Sequence, residues 1–102
     1  MIAMISQPMR GKAQSEIEAT RLLAKQYLES KGYEVVDTLY MKCLFADGDN
    51  GMDLALYGLA KALEAMSKCD TVYFCRGWQD YRGCKIEHDV AAAYGLEIIE
   101  EV

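Results

Sequence analysis

Thr71 to His88 reads T-V-Y-F-C-R-G-W-Q-D-Y-R-G-C-K-I-E-H. Its first five residues are uncharged and rich in β-branched and aromatic side chains, the pattern of a short strand buried on both faces of a parallel sheet. Arg76 to Arg82 is a loop rich in turn formers. From Gly83 to Tyr94 the residues Ile86, Val90, Ala93 and Tyr94 recur at helical spacing, and Gly95 stops the run. The stretch therefore reads strand, loop, helix. The start of the chain has the same grammar: Ile2 to Ile5 is an apolar strand, and Ser6 to Gly11 (S-Q-P-M-R-G) is a loop. Lys12 to Lys31 is then a helix with Ile17, Thr20, Ala24, Tyr27, Leu28 and Lys31 on one face, stopped by Gly32.

The remaining segments fit this frame. Tyr33 to Val36 is a second strand. Asp37 to Gly51 is irregular, with a weak apolar stretch at Leu39 to Ala46 and a D-G-D-N-G turn cluster. Met52 to Lys68 is a helix facing inward with Leu56, Leu59, Ala60, Leu63 and Met66, and Leu96 to Ile99 is a last strand. The order β-α-β-α-β-α-β predicts an α/β fold: a Rossmann-like three-layer sandwich with a four-stranded parallel sheet of order 2-1-3-4 and helices on both faces. At 102 residues the chain is read as one domain, 1–102. In such a sheet the order reverses between strands 1 and 3, and ligands bind beyond the carboxyl ends of the strands there. The loops Ser6–Gly11 and Gly77–Gly83 would meet at that crevice.

A net charge of −5 argues against duplex nucleic acid as a partner, which calls for a basic stripe, but leaves small anions open. The hydrophobic fraction of 52% points to a homo-oligomer, a dimer or larger. No apolar run approaches membrane-spanning length, and no basic segment precedes a long apolar one, so neither a membrane partner nor a signal peptide is expected. Cys43, Cys69, Cys75 and Cys84 form no C-x-x-C and have one histidine between them. They read as free thiols in a reducing cytoplasm, with no metal and no cofactor implied. Asp47, Asp49 and Asp53 lack the glycine and closing glutamate of a calcium loop.

Several residues could carry chemistry at the crevice. Glu87, placed in the first turn of the last helix, is a candidate nucleophile or general acid/base; the plain alternative is an acid favoured there by the helix dipole. Asp70 and Asp80 flank the third strand and would hold substrate hydroxyls or shift a pKa if either neighbours Glu87; a strand-start residue and a solvated turn are the alternatives. Arg10 and Arg82 bracket the crevice with forks suited to phosphate, beside Gly11 and Gly83, which admit close backbone approach; surface arginines on turns are the bland reading. Trp78 stacks a base, closes the pocket or packs on a partner subunit. Cys84 and His88 share a helix face, but with no third group to orient them His88 is read as facing solvent or an interface.

The chain resembles the nucleoside 2-deoxyribosyltransferase-like superfamily. The resemblance is nearest to a small domain family of unknown function with an S-G-P-M-R-G-like loop, here Ser6, Gln7, Pro8, Met9, Arg10 and Gly11, and a G-W-x-x-S-x-G-A-x-x-E-like segment, here Gly77 to Glu87. It covers nearly the whole chain. It implies a (deoxy)ribosyl transfer or hydrolysis in which Glu87 attacks C1′ of the sugar, the base departs with help from Asp70, and a second base or water resolves the glycosyl-enzyme. It also implies that Arg10 and Gly11 belong to a phosphate-holding loop, and that neighbouring subunits complete the site. Three positions depart from the motifs. Gln7 stands for glycine, Cys84 for a smaller residue, and Tyr81 for the serine six residues before the glutamate. Tyr81 brings a phenol to the sugar or fills the pocket. A non-catalytic nucleotide-binding module and a structural oligomer are the competing readings.

Overall fold

A computed structural model describes residues 1–36 and 54–101. Its strands are β1 (Ile2–Ser6), β2 (Glu34–Val36), β3 (Thr71–Phe74) and β4 (Glu97–Glu100), and its helices are α1 (Gln14–Ser30), α2 (Leu54–Met66) and α3 (Arg82–Ala93). All strand pairs are parallel and the order is β2-β1-β3-β4, the α/β arrangement expected from the sequence. The register sets Ala3 beside Thr71 and Ser6 beside Phe74, so the two inner strands end level with each other.

Side-chain alternation along the inner strands sorts the core into two layers. Ala3, Ile5, Tyr73 and Cys75 meet Ala24 and Leu28 of α1 on one face. Met4, Val72 and Phe74 meet Ala62 and Met66 of α2 and Ala91 of α3 on the other. Both faces of β1 and β3 are thus covered, which explains why their sequences are continuous apolar runs rather than alternating ones.

The amino-terminal rim of the sheet is closed by polar bonds. Asp70 Oδ2 accepts the Ile2 backbone N–H at 2.9 Å. Thr71 Oγ1 donates to Glu97 Oε1 at 2.7 Å, and the Tyr33 hydroxyl donates to the same oxygen. These two bonds hold the Glu97 carboxyl below its usual range, and that to Glu97 raises the Tyr33 phenol.

Several inward faces differ from the sequence reading. On α1 the buried line is Ile17, Arg21, Ala24 and Leu28, whereas Tyr27 is 45% exposed and Lys31 also faces solvent. On α2 it is Ala62 and Met66 that are buried, with Leu59 and Leu63 half-buried and Leu56 and Ala60 exposed. On α3 the inward line is Cys84, Glu87, His88 and Ala91, while Ile86, Ala93 and Tyr94 are exposed. Apolar side chains at helical spacing fall on either flank of the buried stripe, and spacing alone does not say which flank meets the sheet. Element ends shift by one or two residues. The irregular segment from Asp37 to Gly51, with Cys43 and the three aspartates, lies outside the described residues, as do Met52 and Asp53. Among the described residues no helix is long and apolar enough to cross a membrane.

Phe74 is fully buried and Leu23 is 68% exposed. Phe74→Ala is expected to lower unfolding stability by about 3–5 kcal/mol in urea titration, and Leu23→Ala to change it by no more than about 0.5 kcal/mol. Equal losses would contradict the assignment of these two side chains to core and surface.

Candidate functional site

The site is built where β1 and β3 end. Ser6 is 2% exposed, and its carbonyl accepts the Cys75 N–H at 3.0 Å, so the two loops leave the sheet side by side. After β1 the chain stays buried through Gln7 and Pro8, then emerges at Met9, Arg10 and Gly11. Gln7 Nε2 donates to the Ile17 carbonyl of α1 at 2.6 Å, pinning the loop to the helix. Gly11 completes the turn at φ +79°, a conformation that favours glycine. After β3 the Arg76 N–H is held by Glu101 Oε1 at 2.8 Å, and Gly77 turns the chain at φ +90°. Trp78–Asp80 forms a short 3-10 turn, and Tyr81, extended and half-buried, leads into α3.

Because α3 begins at Arg82, Glu87 stands in its second turn, not the first. The helix-dipole explanation of this acid therefore loses force, since that field fades beyond the first turn. Glu87 lies instead on the inward line with Cys84, one turn apart. Burial pushes its carboxyl up to about 7, and the Ser6 hydroxyl beside it pulls weakly the other way. Burial also raises the Cys84 thiol to about 11, against the pull of Ser6, and the Cys75 thiol to about 12. Both thiols are protonated at neutral pH and are poor nucleophiles. A carboxyl near 7 is divided between acid and base, the range in which general acid/base groups work.

Among the described residues, three buried side-chain polar atoms find no hydrogen-bond partner: Ser6 Oγ, Gln7 Oε1 and Trp78 Nε1. All three belong to the segments that leave β1 and β3. Ser6 Oγ is near enough to Glu87 and Cys84 to favour their charged forms, yet reaches hydrogen-bond geometry with neither. An unmet buried donor or acceptor costs about 1–3 kcal/mol, and such groups concentrate where a ligand can satisfy them.

Trp78 stacks on His88 with ring centroids 4.1 Å apart and planes 5° apart, and tilts against Phe74 at 5.4 Å. One indole face is thus occupied within the chain. His88 is half-buried: it packs on Trp78 and Phe74, and its Nε2 lies 2.8 Å from Glu100 Oε2. That leaves it no part in a Cys84–His88 catalytic pair.

The predicted residues divide in space. Ser6, Gln7 and Pro8 are buried, Gly77, Trp78, Tyr81, Gly83 and Glu87 are half-buried, and Met9, Arg10, Gly11, Asp80 and Arg82 are exposed. Asp70 is not brought to the site. It lies at the opposite end of β3, four residues before Phe74, which at strand rise is roughly 13 Å. Its carboxylate binds the start of β1 there, so the pairing with Glu87 that the sequence left open does not form. Arg21 was missed by sequence reasoning. It is 7% exposed, donates to the Val36 carbonyl at the end of β2 and acts on Cys75, which puts a buried guanidinium near the same rim. The i, i+4, i+7, i+11 line Ile17, Arg21, Ala24, Leu28 was the available signal. Among the described residues no cluster of three or more His, Cys, Asp or Glu side chains could hold a metal ion.

A model of the family described as a domain of unknown function (DUF4406) matches residues 1–100, and the chain belongs to that family. No curated protein and no solved structure matches the chain.

The raised Glu87 pKa links stability to pH. Below about 4.5 the carboxyl is protonated in both folded and unfolded chains and contributes nothing. Between about 4.5 and 7 the folded chain binds more protons, so ionisation costs stability increasingly as pH rises. Glu87→Gln removes that cost. The stability of the variant relative to wild type is expected to climb between pH 4 and pH 8, by up to about 3 kcal/mol. Urea titrations across this range check it; parallel curves would mean that the carboxyl is as well solvated as in water.

Proposed function

We propose that this member of the DUF4406 family cleaves or transfers the N-glycosidic bond of a nucleoside or nucleotide, with Glu87 as nucleophile. The observation that carries the reading is the placement of Glu87. A half-buried carboxyl raised to about 7 stands beside the unmatched Ser6 hydroxyl, at the point where the strand order reverses. The resemblance to the nucleoside 2-deoxyribosyltransferase-like superfamily is part of the same proposal.

As the C1′–N bond breaks, its electron pair leaves with the base, which takes up a proton, and positive charge develops on the sugar. A carboxylate removed from water interacts strongly with that charge and closes a C1′–O bond to give a glycosyl-enzyme. Attack on C1′ by water or a second base then releases Glu87 as a carboxylate, giving hydrolysis or transfer. Tyr81, at the entry to α3, is the second group we assign to the sugar, and Asp70 has no place in the step. We further propose self-association through exposed apolar side chains such as Leu22 and Leu23 on α1, and a cytoplasmic location, in keeping with the buried free thiols of Cys69, Cys75 and Cys84. A non-catalytic nucleotide-binding module would use the same crevice without bond cleavage.

Base release by liquid chromatography separates these readings. Wild type incubated with ribo- and deoxyribonucleosides and their 5′-monophosphates, with and without a second base, is expected to release base. Glu87→Gln is expected to lose at least about a hundredfold in rate while keeping its fold. Because the nucleophile must be ionised, the wild-type rate is expected to rise with pH and level off above about 7. Full activity in the variant would remove Glu87 from the mechanism; saturable binding with no base released would make the domain a binding module.

A further inference from the structure

We infer that Ser6 is a positioning residue for Glu87: its hydroxyl holds one oxygen of the Glu87 carboxylate and leaves the other free to attack C1′. The inference rests on the glycosidic reading above.

The backbone aims Ser6 at α3. Side chains alternate along a strand, and Met4, two residues earlier, lies in the core layer that contains Ala91 of α3. The Ser6 side chain therefore leaves β1 on the α3 side, whereas Gln7, the next residue, is tied to Ile17 of α1. Position along the sheet agrees. Ser6 is two residues beyond Met4 toward the carboxyl-terminal rim, about 6.6 Å at strand rise. Glu87 is four residues before Ala91 on a helix that starts at that rim, about 6 Å at helix rise. Both thus step from one shared layer toward the same rim by similar lengths. Ser6 is also fixed. It is 2% exposed, pairs with Phe74 in the β1–β3 register, and its carbonyl accepts the Cys75 N–H at 3.0 Å.

Chemistry gives the contact a direction. The Cys84 thiol, raised to about 11 by burial, keeps its hydrogen at neutral pH. A thiol beside a hydroxyl gives that hydrogen weakly to the oxygen, and an ionised carboxylate only accepts. Ser6 Oγ stands beside both groups, so its own hydrogen goes to Glu87. Among the described residues Ser6 Oγ has no partner at hydrogen-bond geometry, and catalytic contacts of this kind are often long until substrate binds. Ser6 transfers no proton. The oxygen it holds becomes the carbonyl oxygen of the glycosyl-enzyme. The other oxygen forms the C1′–O bond as the C1′–N electron pair departs with the base, which takes up a proton. Among the described residues no charged group competes for this carboxylate. Burial and Ser6 act on Glu87, and Cys84 lies one turn away on its own helix. Tyr57, Lys61 and Glu64 of α2, Asp80 of the 3-10 turn, and Glu97 and Glu100 of β4 exert no charge effect on it.

One arm of the test needs no turnover. Ser6→Ala removes a group that favours the ionised carboxyl, so Glu87 ionises at higher pH in the variant. At pH 5 the carboxyl is protonated in both folded chains; above about 7 wild type gains from a hydroxyl that the variant lacks. The stability lost in Ser6→Ala is therefore expected to grow between pH 5 and pH 9 in urea titrations, and to stay flat when the same substitution is made in Glu87→Gln. The second arm is the rate profile for the most reactive nucleoside or nucleotide. Ser6→Ala is expected to move the pH at which kcat levels off upward by about 0.5–1 pH unit, the worth of one hydrogen bond. It is also expected to lower kcat at pH 9 at least about tenfold, with a smaller change in KM. Ser6→Thr keeps the hydroxyl and is expected to restore the wild-type plateau. A pH dependence equal in the Glu87 and Gln backgrounds, or an unmoved plateau in folded Ser6→Ala, overturns the role of Ser6 and leaves Glu87 standing. No base release by wild type, with the pH-dependent coupling intact, overturns the glycosidic reading and the positioning role with it, while leaving the contact between Ser6 and Glu87.

Discussion

The parallel pairing of β1 with β3 is the constraint on which the rest of the molecule depends. It brings Ser6 level with Phe74, and the backbone bond from Cys75 to Ser6 carries the pairing one step past the strand. Two loops distant in sequence then depart from one edge of the sheet, and α3 starts where it can turn Cys84 and Glu87 toward Ser6. Burial of β1 and β3 on both faces fixes this register, because a slip of one residue would exchange the side chains meeting α1 with those meeting α2 and α3.

The two rims of the sheet are treated oppositely. At the amino-terminal rim the polar groups of Asp70, Thr71, Glu97 and Tyr33 are satisfied by one another and by Ile2. At the carboxyl-terminal rim Ser6, Gln7 and Trp78 each bury an unmatched atom, and burial raises the Glu87 carboxyl to about 7. One rim lowers the energy of the folded chain and the other raises it, a local cost characteristic of a site shaped for something besides stability.

Strand order and the convergence of the two loops were legible in the sequence because they follow from element order and chain connectivity alone. Ser6, Gln7 and Glu87 were reachable for the same reason, each lying a fixed short distance from a strand end. Which flank of each helix faces inward was not legible. On α3 the apolar Ile86, Ala93 and Tyr94 compete with a truly inward line that contains Glu87 and His88, so hydrophobicity points the wrong way where the polar site displaces apolar residues. Arg21 was hidden likewise, as a cation on a line otherwise made of Ile17, Ala24 and Leu28. Asp70 adjoins the right strand but lies at its wrong end, a distinction that proximity in sequence does not carry. The burial of Trp78 depended on His88, whose ring reaches it only once α3 is packed.

The central place of β1 also bears on how the chain comes to be folded. β1 is synthesised well before its inner neighbour, a strand that begins at Thr71, and the Ile2 backbone N–H is closed by a residue 68 positions further on. Contacts of that separation carry a large loop-closure entropy and make for slow folding. Until β3 has been synthesised, Ala3, Met4 and Ile5 have no sheet partner on that side, and β1 is an apolar strand with an open edge.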